Sequence, residues 1–242
     1  MSSSQKICYL CAKPIPEDEL DAEHVFPRNL FNDGDRVGLI TLPSHRSCNA
    51  SYSKDDEYFR LCITVAAGDE PNAKKLWKGP VLRGVHRPES AKYRAMILGS
   101  IHEVEVRSEA GIILGKAPVM DQKSARILRV VSRMARGLYT YHTGDVLPAD
   151  WPVSSDLVDP RARTDPFWSL FYKNVRSVGN GTVRFSTKVL KEDPREAFYW
   201  IVLYDSIDFW AFTGTKISEQ LENGVKREME RREKVRAEGS EC

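Results

Sequence analysis

Near the start of the chain, Cys8, Cys11, Glu23, His24, His45, Cys48 and Asn49 carry side chains that bind metals or move protons. Two residues separate Cys8 from Cys11, the spacing that lets two thiolates from one tight turn reach the same tetrahedral ion. Taken alone, that pair also fits a redox dithiol or an incidental repeat. His45 and Cys48 repeat the spacing beyond the loop 12–44. All four are groups that zinc accepts, and a closed four-ligand set is structural rather than catalytic. A segment of about sixty residues buries little apolar surface, so a metal staple between its ends has a purpose. The competing reading makes His45 a surface histidine and the cysteines free thiols. Five cysteines, an odd number, argue against a disulfide framework, and Cys62 and Cys242 read as plain thiols.

Elements must position these groups. DAEHVF (21–26) reads as a short strand, and alternation puts the Glu23 and His24 side chains on opposite faces. VGLITL (37–42) is the natural return strand, and Asn49 opens a helix over roughly 49–60. The order strand, strand, helix can place His24 and Asn49 face to face across a shared metal. Asp55, Asp56 and Glu57 read as a solvated helix face, the rival reading being a further metal contact.

The ordered set Cys8-x-x-Cys11, Glu23-His24-Val25-Phe26-Pro27 and His45-x-x-Cys48-Asn49 resembles the HNH (ββα-metal) nuclease superfamily, in particular its zinc-stapled endonuclease VII-like branch. The resemblance covers roughly residues 7–60. It implies a metal-dependent endonuclease that hydrolyses phosphodiester bonds. His24 would be the general base, with Glu23 and Asn49 holding a catalytic Mg²⁺ or Mn²⁺ beside the structural zinc. A neutral imidazole titrates near operating pH and can take a proton from attacking water. A hard divalent ion needs only a few oxygen ligands from the protein. The chain departs from the family pattern in having His45 for a Cys, Glu23 for an Asp, and Ile40-Thr41-Leu42 where a bracing Asn is common.

The expected class is α+β: a small zinc-bound ββα module over 1–67, a larger α+β domain over 81–213 that positions substrate, and a charged helix or tail over 214–242. Gly and Pro punctuation marks 68–80 as the linker. EVEVR (103–107), SEAG (108–111) and IILGK form a hairpin. A helix runs over 122–136, with Asp121 as N-cap and Gly137 just past its end. Residues 182–190 and 198–212 are strand-like, and the aromatic run 198–212 reads as sheet core. In the helix expected over 215–238, Ile217, Leu221, Val225 and Met229 form a narrow apolar stripe.

Net charge is only +2 over 242 residues, so a nucleic-acid partner needs a local basic surface. One candidate is 74–94, with Lys74, Lys75, Lys78, Arg83 and Arg87. The other is Arg126, Arg129, Arg133 and Arg136, which share one helix face. Both also read as ordinary solvated faces. His86, His102 and His142 have no ligand-like neighbours. With 41% apolar and 29% charged residues, no apolar run long enough for a membrane span, and no leader-like start, the chain reads as cytoplasmic. The partner expected is DNA, with RNA as the narrower variant, and a symmetric dimer would suit double-strand cutting. The rival from another class is a zinc-binding nucleic-acid or protein adaptor without hydrolytic activity.

Overall fold

The computed structural model describes residues 5–108, 110–159, 167–168, 171–190 and 193–215, together with 223 and 230. Within them the chain is mixed helix and strand, consistent with an α+β class. The charged helix expected over 215–238 lies, apart from residues 215, 223 and 230, outside the described residues. No helix among the described residues is long and apolar enough to cross a membrane.

A tight turn closed by the Ile7–Pro14 bridge leads into β1 (Leu20–His24). This strand pairs antiparallel with β2 (Thr41–His45), Leu20 opposite His45 and His24 opposite Thr41. The return strand therefore lies four residues later than the apolar run 37–42 suggests. Of the residues of that run that precede β2, only Ile40 joins the ladder's end, accepting from the Val25 N–H at 3.0 Å. Two helices follow at once, α1 (Arg46–Ala50) and α2 (Ser53–Ala66), so Asn49 sits inside a one-turn helix rather than opening a long one.

The expected linker is instead a packed helical run. Gly68, at φ +58°, follows the end of α2, and Glu70 caps α3 (Pro71–Leu76) by accepting from the Ala73 N–H at 2.7 Å. Pro71 occupies the first turn, where its missing donor is harmless. Punctuation that resembles a linker is thus a helix stop followed by a helix start. Ala73 and Leu76 are buried there, and α4 (Leu82–His86) and α5 (Ala91–Gly99) continue the run.

The hairpin of β3 (Ile101–Arg107) and β4 (Ile113–Met120) forms as the alternation implies, and is mostly exposed. Helix α6 (Ser124–Thr143) buries Ile127, Val130, Val131, Met134 and Leu138, an amphipathic spacing. It begins later than expected, at Lys123 without a side-chain cap, and passes straight through Gly137. That glycine is a contact point, not a stop: a Cβ there would lie 2.8 Å from Val25 Cγ2 and 3.3 Å from the Tyr9 ring. The stop is Gly144, at φ +78°, whose N–H returns to Thr140 O at 2.9 Å.

Strands β5 (Val153–Leu157), β6 (Arg176–Val178), β7 (Val183–Val189), β8 (Ala197–Leu203) and β9 (Ile207–Thr213) form one antiparallel sheet in the order β5-β9-β8-β7-β6. Central β8 is buried throughout. Ala197, Tyr199, Ile201 and Leu203 join the main core, while Phe198, Trp200 and Val202 join a second core on the opposite face. The aromatic run is therefore sheet core, as its composition implies. The same main core includes Val25, Phe26, Leu30 and Phe59, so the N-terminal module and the sheet share one apolar interior. Tyr204 reinforces the junction: it turns the β8–β9 hairpin at φ +51° and donates its buried hydroxyl to Leu30 O at 2.6 Å.

Candidate metal centre and the ion-pair cluster behind it

The Cys8–Cys11 turn is shaped by its backbone. Cys8 N–H donates to Lys13 O at 2.9 Å, and Ala12, at φ +57°, returns its N–H to Cys8 O at 2.8 Å. His45 closes β2 and Cys48 lies one turn into α1, so strand end and helix start bring the second pair to the first. The ligand atoms of Cys8, Cys11, His45 and Cys48 all lie within 4.8 Å of one another, and the four could hold a metal such as zinc. His45 Nδ1 is 3.4 Å from Cys11 Sγ and 3.9 Å from Cys48 Sγ. Tetrahedral zinc, with bonds of about 2.0 and 2.3 Å, sets that edge at about 3.6 Å. The far nitrogen of the ring, Nε2, is 3.1 Å from Pro14 O. Donation there fixes the tautomer that leaves the Nδ1 lone pair for a metal.

The thiols oppose one another's ionisation, a conflict that a bound cation would relieve. Burial opposes ionisation of Cys8, yet main-chain donors from His45, Cys11 and Leu10 bring it down to about 7. Burial, then the neighbouring Cys8 and Cys11 sulfurs, pushes Cys48 up to about 12. One thiolate makes the next harder to form, and a dication would remove that opposition.

Within this frame the two neighbours of the Glu23–His24 pair part company. Glu23 is buried, and its Oε1 meets Arg133 Nη1 at 3.0 Å. Arg133, from the middle of α6, is fully buried and also forks onto Asp56 of α2 at 2.8 and 3.1 Å. The Tyr52 ring lies beneath its guanidinium at 4.7 Å. Burial pushes Glu23 up to about 7 in spite of Arg133, and burial also raises Asp56. His24 stays half-exposed on the other face of β1. Its burial, then Arg28 and Arg36, lower its pKa, with Asp21 opposing them.

The side chain that Asn49 meets is Asp21, at 2.9 Å from Asn49 Nδ2 to Asp21 Oδ2. Asp21, two residues before Glu23 and of the same strand parity, is not among the residues that the HNH-like motif singles out. The contact is an ordinary hydrogen bond in which the Asn49 amide N–H donates to the Asp21 carboxylate.

The arginines of α6 are largely spoken for. Arg126 and Arg129 reach Asp55 at 2.6 and 2.5 Å. Burial opposes ionisation of Asp55, but these two partners hold its carboxyl below the ordinary range. Arg136 is buried and donates to Trp151 O at 3.1 Å, Leu147 O at 3.0 Å and Pro148 O. Arg133 and Arg136 therefore have no surface to offer a phosphate backbone. Helix α6 is covered twice, by the sheet on one side and by α2 and β1 on the other. Asp55 and Asp56 are accordingly neither solvated nor turned to a metal. Of the other basic run, Lys74 pairs with Asp69 at 2.6 Å, whereas Lys75, Lys78, Arg83 and Arg87 stand exposed.

Comparison with protein-family models, with curated proteins and with solved structures returned no match for this chain.

Proposed function

We propose that residues 7–60 form a zinc-stapled HNH-type (ββα-metal) centre that hydrolyses phosphodiester bonds of nucleic acid, DNA in the first place. The observation that carries the reading is the placement inside the Cys/His frame: His24 half-exposed at the end of β1, and Asp21 and Asn49 touching across β1 and α1. Zinc at Cys8, Cys11, His45 and Cys48 would tie the turn before β1 to the start of α1. A divalent ion such as Mg²⁺ at Asp21 and Asn49 would have to lie at the edge of β1, where Asp21 is near enough to His24 to act on its charge, and there it would offset the charge that develops on the phosphate. His24, kept neutral by burial and by Arg28 and Arg36, accepts the proton of the water that attacks phosphorus. The bond to the leaving oxygen then breaks, and that oxygen is protonated from solvent. Glu23 serves a different purpose from the one its place beside His24 implies: through Arg133 it fixes β1 against α6 and α2.

Nicking of plasmid DNA with added Mg²⁺ or Mn²⁺ tests the reading. Cleavage should fall by ~10²–10⁴-fold in His24→Ala while the fold persists. Equal rates in the two proteins would sink the assignment. The locked position of Glu23 favours one second reading, a zinc-held adaptor without hydrolysis. Its signature is full zinc content with no cleavage of DNA or RNA by the wild type.

A further inference from the structure

A cavity of about 490 Å³ opens at the far edge of the sheet, lined by His142, Asn174, Arg176, Phe185 and Thr187 among others. Its origin is topological. Strand β6 pairs only with Val183–Phe185, whereas β7 runs on to Val189 along β8. Among the described residues no strand covers residues 186–189 on the outer side, because the chain just before β6 is a short 3-10 helix, Tyr172–Asn174, packed against β7 rather than extended beside it. Alternate main-chain N–H and C=O groups of that edge face the gap. We propose that this notch binds the phosphate ester of a nucleotide, free or at the end of a strand.

The lining chemistry selects an anion. No described lining residue is acidic, and Arg176, exposed on β6, forms no ion pair among the described residues. Its full charge exceeds the roughly −0.5 charge at the nearby C-terminus of α6. His142 Nε2 lies 2.9 Å from Thr187 Oγ1. Burial, and then Arg176, hold that imidazole in its neutral form. If Nε2 donates, the Thr187 hydroxyl proton is free for a ligand. If the hydroxyl donates, Nδ1–H is free instead. The guanidinium, the Asn174 amide and one of these donors make a set suited to phosphate oxygens.

The size and the surroundings favour a nucleotide over a bare ion. The volume falls in the ~300–1,000 Å³ range of small-molecule sites. Tyr141, 44% exposed, touches two lining side chains: its ring centroid is 5.4 Å from that of His142 and 5.8 Å from the Arg176 guanidinium. An exposed ring beside a cation gives a base a stacking surface worth ~1–3 kcal/mol, about 5- to 150-fold in affinity. The inference stands apart from the nuclease reading, because none of these residues belongs to the Cys/His frame or to His24.

The full chain should be titrated with inorganic phosphate, deoxyadenosine 5′-monophosphate and a short single-stranded oligodeoxynucleotide, following the His142 ring and Thr187 amide signals by NMR. Saturable shifts are expected, with the mononucleotide tighter than inorganic phosphate. Shifts with the oligonucleotide alone would mark the source as a strand and equally support a phosphate-ester site. Arg176→Met should weaken binding roughly 10- to 100-fold, Thr187→Val less. Arg184→Met, which breaks a surface pair with Asp205 of the β8–β9 turn, should leave it unchanged. No shift from any of the three probes at millimolar concentration would overturn the proposal. So would shifts that survive Arg176→Met.

Discussion

Two cross-links hold β1 in place, and they differ in what completes them. At its start, the Cys8, Cys11, His45 and Cys48 atoms converge, with sulfurs that oppose one another's ionisation. At its other end, Glu23, Arg133 and Asp56 pair with one another inside the protein, with Arg133 fully buried between two carboxylates. The first could take a cation from outside; the second carries its own in Arg133. The same strand therefore holds one acid committed to structure, Glu23, and one left beside an amide at a partly open position, Asp21. Adjacency in sequence to His24 does not decide which acid faces a ligand. The partner across the fold does, since Asp21 and Glu23 share one strand parity and differ in what they meet.

Breaking the first cross-link should have the largest effect. Structural zinc is worth on the order of 10 kcal/mol in small zinc-held modules. A strong chelator, or Cys48→Ala, should therefore lower the melting temperature and expose the amides of residues 5–50 to hydrogen exchange. A metal assay should give about one zinc per chain. Melting that ignores both chelator and substitution would show that the four side chains converge without need of an ion.

Breaking the second should have the next largest effect. Arg133→Met strands two buried carboxylates, a loss of about 3–5 kcal/mol in urea unfolding. Arg129→Ala, at a half-exposed pair, should cost no more than about 1 kcal/mol. Similar losses for both would deny the buried cluster its role.

A smaller effect sharpens the comparison through pH. Glu23 is raised from the ordinary 4.5 to about 7 in the folded protein. Between those values the folded state holds a proton that the unfolded chain has released. The contribution of this group to stability is full below about 4.5 and is lost as pH rises toward 7. Glu23→Gln should remove that slope, a change of about 2–3 kcal/mol between pH 5 and 8. An unchanged slope in the variant would contradict the assignment.

Much of this was legible before the fold. The paired ligand spacing announced the Cys/His frame, and β-branched and aromatic runs announced the sheet, because spacing and period are local properties. Opposite faces for Glu23 and His24 followed from alternation alone. What escaped depends on partners distant in sequence. Arg133 reads as a surface arginine until α2 brings Asp56 and β1 brings Glu23 onto it. Gly137 reads as a helix stop until Val25 packs against it. Gly68 and Pro71 read as a linker, since stop and start signals of packed helices use the same residues as loops. His142 has no ligand-like neighbour in sequence; Thr187 and Arg176 reach it only through the sheet.

The division of labour between the two acids can be measured directly by titrating Mn²⁺ into the zinc-loaded protein and following free Mn²⁺ by electron paramagnetic resonance. Asp21→Asn should weaken Mn²⁺ binding by roughly 10- to 100-fold, while Glu23→Gln leaves it within about twofold of wild type. The reverse order, with Glu23→Gln abolishing binding and Asp21→Asn sparing it, would return Glu23 to the metal and contradict its assignment to Arg133.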